Sequence, residues 1–327
     1  MNAAPASASP AWSFLGLSPE ESPRQSARFV LVPVPHEATA AGQPGCRLGP
    51  EAILRASQTL ERFDSELNIE AARIGIHTAA PIEPAGEGPG AMWARIREVV
   101  GAIYAEDKIP FLIGGEHTVT TAAVETALES ATPRLTVLQI DAHSDLRANH
   151  HGSELSSVSA MRRLLGRVRL VQVGVRSCSQ EESEAASHEM VQTFPMHAIR
   201  RRQISDVIAE IGQAVRGEVH ISIDLSGLDP SIMPSTARPE PGGLLWWELL
   251  AILRAVISQT SVVGLDVVEL APIPGLAAPN ILAAQLVQKL IGYTVKYQAF
   301  WRRGAKPPLS PTRPMPAAGA DDATVRM

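Results

Sequence analysis

Cysteine is scarce: Cys46 and Cys178 are the only two in 327 residues, too few for a disulfide framework and in keeping with a reducing compartment. No apolar run approaches the roughly 18 residues of a membrane span, and the N-terminus lacks the basic start and apolar core of a secretory signal. The protein is therefore expected in the cytoplasm. Positive charge is not in excess either. Lys plus Arg number 29 against 34 Asp plus Glu, a formal charge of −5, so nothing draws the chain to nucleic acid or to an anionic membrane. The expected partner is a small molecule.

What the sequence does have is a steady alternation of short apolar runs with helical spacing. Strands are expected at Arg28 to Pro35, near Ile74 to His77, and at Ile109 to Ile113, Leu135 to Ile140, Val168 to Val175, Val219 to Leu225 and Val262 to Val268. Between them the 3.6-residue period predicts helices at Pro50 to Leu60, Ala91 to Ala105, Glu154 to Leu165, Glu181 to Glu189, Ser205 to Val215, Trp246 to Ile257 and Asn280 to Gly292. Pro50 suits the first turn of its helix. Such alternation argues for an α/β fold, a mainly parallel sheet covered by helices on both faces. Residues 1–26, rich in Ala, Ser and Pro, are expected as a flexible arm, 27–303 as one domain, and 304–327 as a disordered tail.

The chemistry collects where the predicted strands end. The run LTVLQI stops at Asp141, and Asp141, His143 and Asp145 follow at every second position. In extended backbone such positions share one side, and a carboxylate, imidazole and carboxylate together suit a divalent cation. Carboxylates this close repel one another and raise each other's pKa unless a cation neutralises them. Three more clusters follow strands: Glu116 and His117 in GGEHT, Asp224 and Asp229 in SIDLSGLDP, and Glu269 in DVVEL. In an open parallel sheet the carboxyl ends of strands form the ligand crevice, so residues far apart in sequence can meet there.

The ordered set GGEHT, DAHSD, SIDLSGLDP and DVVEL, preceded by PGCRLGP, resembles the ureohydrolase family of arginases and agmatinases, and within it the agmatinase-like branch. The resemblance implies a three-layer α/β/α sandwich, assembly into trimers or hexamers, a pair of Mn(II) ions, and hydrolysis of a linear guanidino or amidine C–N bond, such as agmatine to putrescine and urea. It further implies that His117 holds one ion and His143 the other, that Asp141 and Asp224 bridge them, and that Asp145 completes the first ion's shell and carries a proton to the leaving amine. Glu269 stands where the family binds the guanidinium group.

Three positions depart from that pattern. Ser226 replaces an aspartate that completes the second ion's shell, so one or two Mn(II) ions per chain are expected. Ser157 stands where a histidine binds substrate and shuttles protons, with His150 and His151 a little upstream. Arg238 replaces a small hydroxyl residue near the metals, and a permanent cation there opposes a guanidinium substrate. These departures motivate a second expectation: a catalytically impaired paralogue acting as a structural or regulatory subunit of a mixed oligomer, beside an intact relative.

Overall fold

The computed structural model describes residues 12–298, apart from 40, 71, 72, 74, 85–87 and 131–133. The chain runs β1 (Phe29–Val34), α1 (Gly49–Ser57), β2 (Phe63–Asp64), β3 (Ile69–Glu70), β4 (Ile76–Thr78), α2 (Pro89–Ala105), β5 (Ile109–Gly114), α3 (Thr118–Ser130) and β6 (Leu135–Ile140). It continues with β7 (Arg169–Val173), α4 (Gln180–Ala185), β8 (Val191–Phe194), α5 (Met196–Ile199), α6 (Ile204–Ala214), β9 (Glu218–Asp224), α7 (Trp246–Ile257), β10 (Ser261–Val268) and α8 (Ala278–Gln298). Eight strands form one sheet in the order β4-β1-β5-β10-β9-β6-β7-β8, and every pairing in it is parallel.

The strands are apolar along their length because both faces of the sheet are covered. On β1, Phe29 and Leu31 enter one core with α1, α6, α7 and α8, while Val30, Val32 and Val34 enter another with α2 and α3. This is the helix-covered parallel sheet that the alternation predicts, and the three-layer α/β/α sandwich that the resemblance implies. Pro50 sits in the first turn of α1 and Pro89 in that of α2, and Ser179 with Glu182 closes a capping box on α4.

Several expectations need correction. Glu154 to Leu165 is not an α-helix but two short turns, Ser157–Ser159 and Arg162–Leu164. Its amides are recruited elsewhere: the Met161 and Arg162 N–H groups both donate to Asp145 O at 3.1 Å, and Ser157 N–H donates to Thr39 Oγ1 at 3.2 Å. Helix α3 was not expected, because it is buried on nearly all sides and shows no amphipathic stripe. Strand β8 and the β2–β3 hairpin were also unexpected. Within the expected N-terminal arm, residues 12–26 are described, and Phe14, Leu15 and Leu17 are buried in the core rather than free. Residues 1–11, Ile74 and the expected tail 304–327 lie outside the described residues. Among the described residues no helix is long and apolar enough to cross a membrane.

Candidate metal and substrate site

Strands β5, β6, β9 and β10 are neighbours at the centre of the sheet, so their C-terminal ends bring the four polar clusters to one place. Between β5 and α3 the chain turns through Gly115, where a Cβ would lie 1.9 Å from His36 O; only glycine allows this approach. The turn delivers His117 to the site, fully buried. Its Nδ1 lies 2.8 Å from Asp145 Oδ2, 3.2 Å from Asp141 Oδ2 and 3.8 Å from Asp224 Oδ2.

The ring of His117 is oriented from behind. Ser222 Oγ, on β9, donates to Asp266 Oδ1 at 2.7 Å and lies 2.9 Å from His117 Nε2. With its single proton committed to Asp266, the Ser222 hydroxyl accepts from Nε2–H, which leaves Nδ1 as the face turned to the carboxylates. Asp266 Oδ2 pairs in turn with His220 Nε2 at 2.7 Å. A second chain orients Asp141: Gln172 Nε2 donates to Gln139 Oε1 at 2.7 Å, and Gln139 Nε2 to Asp141 Oδ2 at 2.8 Å.

The Asp141, His143 and Asp145 side chains converge, though not along one extended strand. β6 ends at Ile140, and Asp145 reaches the cluster only because its backbone adopts a left-handed φ of 52°. Glu269 shares that conformation, with φ 66°. Non-glycine residues rarely accept such backbone, and its cost is borne where side chains must be aimed. Glu269 Oε1 accepts the His117 backbone N–H at 2.8 Å.

Two groups could each hold a cation, with ligand atoms within 4.8 Å of one another: His117, Asp141 and Asp145, and Asp141, His143 and Asp224. The first group fits a divalent ion well. It joins an oriented imidazole to buried carboxylates, and Asp224 stands within reach as a further oxygen donor. The second is poorer. Ser226 offers a neutral hydroxyl, which donates to Asp141 Oδ1 at 3.1 Å and lies 3.4 Å from His143 Nδ1.

The electrostatics match a site built for positive charge. Burial opposes ionisation of Asp141, but hydrogen bonds from His117 and His143 outweigh it and hold its pKa well below the usual range. Burial, and then the Asp141 charge, push Asp224 up to about 7 and raise Asp145. Burial and Asp224 raise Glu269 far above an ordinary carboxyl. Burial opposes the charged form of His117, yet its hydrogen bonds to Asp141 and Asp145 raise its pKa well above normal.

Of the other residues singled out in the sequence, Ser157 is buried beside Thr39, and Arg238 brings a guanidinium nitrogen to 3.5 Å from Asp145 Oδ1. Glu116 is structural: it accepts from the Ala38 and Thr39 amides and from the Thr39 and Thr118 hydroxyls. Asp229 shapes its own loop by accepting from the Ser231, Gly242 and Gly243 amides. His150 and His151 lie in an adjoining turn and join neither ligand group. Arg176 was missed. It gathers the carbonyls of Gly174, Ser226, Leu228, Glu240 and Pro241, tying the loops around His143 together.

The family model described as the Arginase family matches residues 27–292. An N(1)-aminopropylagmatine ureohydrolase of Thermus thermophilus is 38% identical over 274 residues, covering 84% of this chain and 92% of that one. One from Synechocystis sp. is 34% identical over 277 residues, covering 82% and 89%. Among solved structures, the agmatine ureohydrolase of Thermoplasma volcanium superposes with a TM-score of 0.76 at 28% identity, covering 84% of this chain and 92% of that one.

Proposed function

The chain belongs to the arginase family, and on that premise we propose that it is a metal-dependent hydrolase of a linear guanidino C–N bond, releasing urea and an amine as an agmatinase does. The observation that carries this reading is the placement of Glu269. Its carboxylate is held by the His117 amide on one oxygen, beside the carboxylates that surround His117, so the second oxygen remains for a guanidinium N–H. Carboxylate and guanidinium match in shape as well as charge.

In this reading His117, Asp141, Asp145 and Asp224 hold a Mn(II) ion, and Asp141, His143, Asp224 and Ser226 form the second locus. When bound, the metal acts as a Lewis acid and brings the pKa of its water toward neutrality. Glu269 seats the guanidinium. Asp145, with Oδ2 on His117 and Oδ1 toward Arg238, moves a proton to the leaving amine, and Ser157 belongs to the substrate-binding side. The protein works in the cytoplasm as a trimer or hexamer.

The names of its relatives put forward two substrates, agmatine and N(1)-aminopropylagmatine. Both carry a guanidinium on an aliphatic chain, and Glu269 addresses the end they share. Because those relatives are named as ureohydrolases, they lend no support to the alternative of an impaired structural or regulatory subunit. The test is urea release by protein supplied with Mn(II), assayed on agmatine, N(1)-aminopropylagmatine, arginine and guanidinobutyrate. Turnover of one or both of the first two is expected; urea from none of the four would overturn the proposal.

A further inference from the structure

We propose that this chain binds one divalent cation rather than two, and that the Arg238 guanidinium takes the electrostatic place of the second. The inference rests on the metal-site reading above and concerns its stoichiometry.

The first reason is the donor set. The His117 group is complete, while the His143 group ends in Ser226, whose hydroxyl proton is already committed to Asp141 Oδ1. A neutral hydroxyl brings no charge and is a weaker donor to a hard dication than a carboxylate.

The second reason is how Arg238 is held. Its side chain is only 26% exposed, and its Nη2 lies 3.5 Å from Asp145 Oδ1. The stem cannot swing freely. A Cβ on Gly42 would lie 2.5 Å from Arg238 Cγ and 2.2 Å from Ala237 O, so the backbone at 42 presses directly on the base of the side chain. Gln43 N–H donates to Ala237 O at 2.9 Å, and Ala271 N–H to Ser235 O at 2.9 Å. The segment carrying Arg238 is therefore pinned on both sides with the guanidinium turned inward.

The third reason is charge. Against the pattern the sequence resembles, Ser226 removes one negative charge and Arg238 adds one positive charge; together they shift the site by the charge of one dication. Counting Asp141, Asp145, Asp224 and Glu269 as carboxylates, one dication plus Arg238 leaves a single net negative charge, which a guanidinium substrate neutralises. A second dication would make this buried set net positive, with only the partly exposed Glu240, 3.8 Å from His143 Nε2, to offset it.

Metal content tests this independently of turnover. The full chain, loaded with Mn(II) and desalted, is measured by elemental analysis and by EPR, alongside Arg238→Lys, Arg238→Gln and the double variant Arg238→Gln with Ser226→Asp. Wild type and Arg238→Lys are expected to hold one Mn(II) per chain with an uncoupled spectrum. The double variant is expected to hold two, exchange-coupled, with affinity for the second ion raised by at least about 100-fold from the charge change alone. Two coupled ions in wild type would overturn the inference, as would one ion in a folded double variant. Should the double variant fail to fold, the wild-type count decides alone. One ion without urea release would leave the stoichiometry standing and sink the proposed activity, whereas two ions with urea release would do the reverse.

Discussion

Replacing Ser222 with alanine cuts the link between His117 and the interior of the sheet. In the wild type, Ser222 Oγ accepts from His117 Nε2–H at 2.9 Å, lies 3.2 Å from Thr120 Oγ1 and donates to Asp266 Oδ1 at 2.7 Å, all of it buried. In the variant the buried imidazole N–H has no acceptor and Asp266 keeps only its bond to His220. A stranded buried donor costs about 1–3 kcal/mol, so the metal-free protein should unfold at measurably lower denaturant. The larger consequence concerns the metal. With neither ring orientation nor tautomer enforced, His117 should bind Mn(II) about 10- to 100-fold more weakly, the usual cost of losing a partner that orients a ligand. Titration calorimetry with Mn(II), paired with denaturant melts in chelator, reads both effects. A Ser222→Ala protein that binds Mn(II) with wild-type affinity would refute the assignment of Nδ1 as the ligating face.

Glu269→Gln should lower kcat/KM for a guanidino substrate by about 10- to 100-fold through loss of a charge-assisted pair, with Mn(II) content unchanged by elemental analysis. The metal-free protein should lose thermal stability as pH rises from about 4 to about 7. The folded pKa of Asp224 is about 7, above the unfolded value near 3.9, so the folded state holds the extra proton and its advantage fades as pH rises through that window. Asp145 and Glu269 shift in the same direction, whereas Asp141, held low, costs stability only in acid; calorimetry in chelator across the range checks the slope. Arg176→Ala strands the carbonyls of Ser226 and Glu240, among others, and should destabilise by about 2–4 kcal/mol in denaturant melts.

The residues proposed as ligands were legible because each belongs to an abrupt polar cluster at the end of an apolar strand, and a parallel sheet gathers strand ends by topology alone. The residues behind them were not. Gln139, Ser222 and Asp266 sit inside strands buried on both faces, where the alternation shows only that they are covered. Their polarity within otherwise apolar runs was the available signal, since a buried polar side chain demands a partner. Period-based reading failed at α3 because a helix buried all round has no stripe. It failed in the opposite sense at Glu154 to Leu165, where helical spacing was present but the Asp145 carbonyl draws the amides away from it. The left-handed backbone at Asp145 and Glu269 carries no sequence mark, and it is what turns spacing into convergence.

The central claim is a metal-dependent hydrolase whose ligands surround His117. Its most direct test is urea release from agmatine and N(1)-aminopropylagmatine by the wild type and by His117→Asn, each after chelation and again after Mn(II) is returned. Urea release that is lost on chelation, restored by Mn(II) and absent from the His117→Asn protein is the predicted result. Equal release by wild type and variant, or none from wild type carrying bound Mn(II), would contradict it.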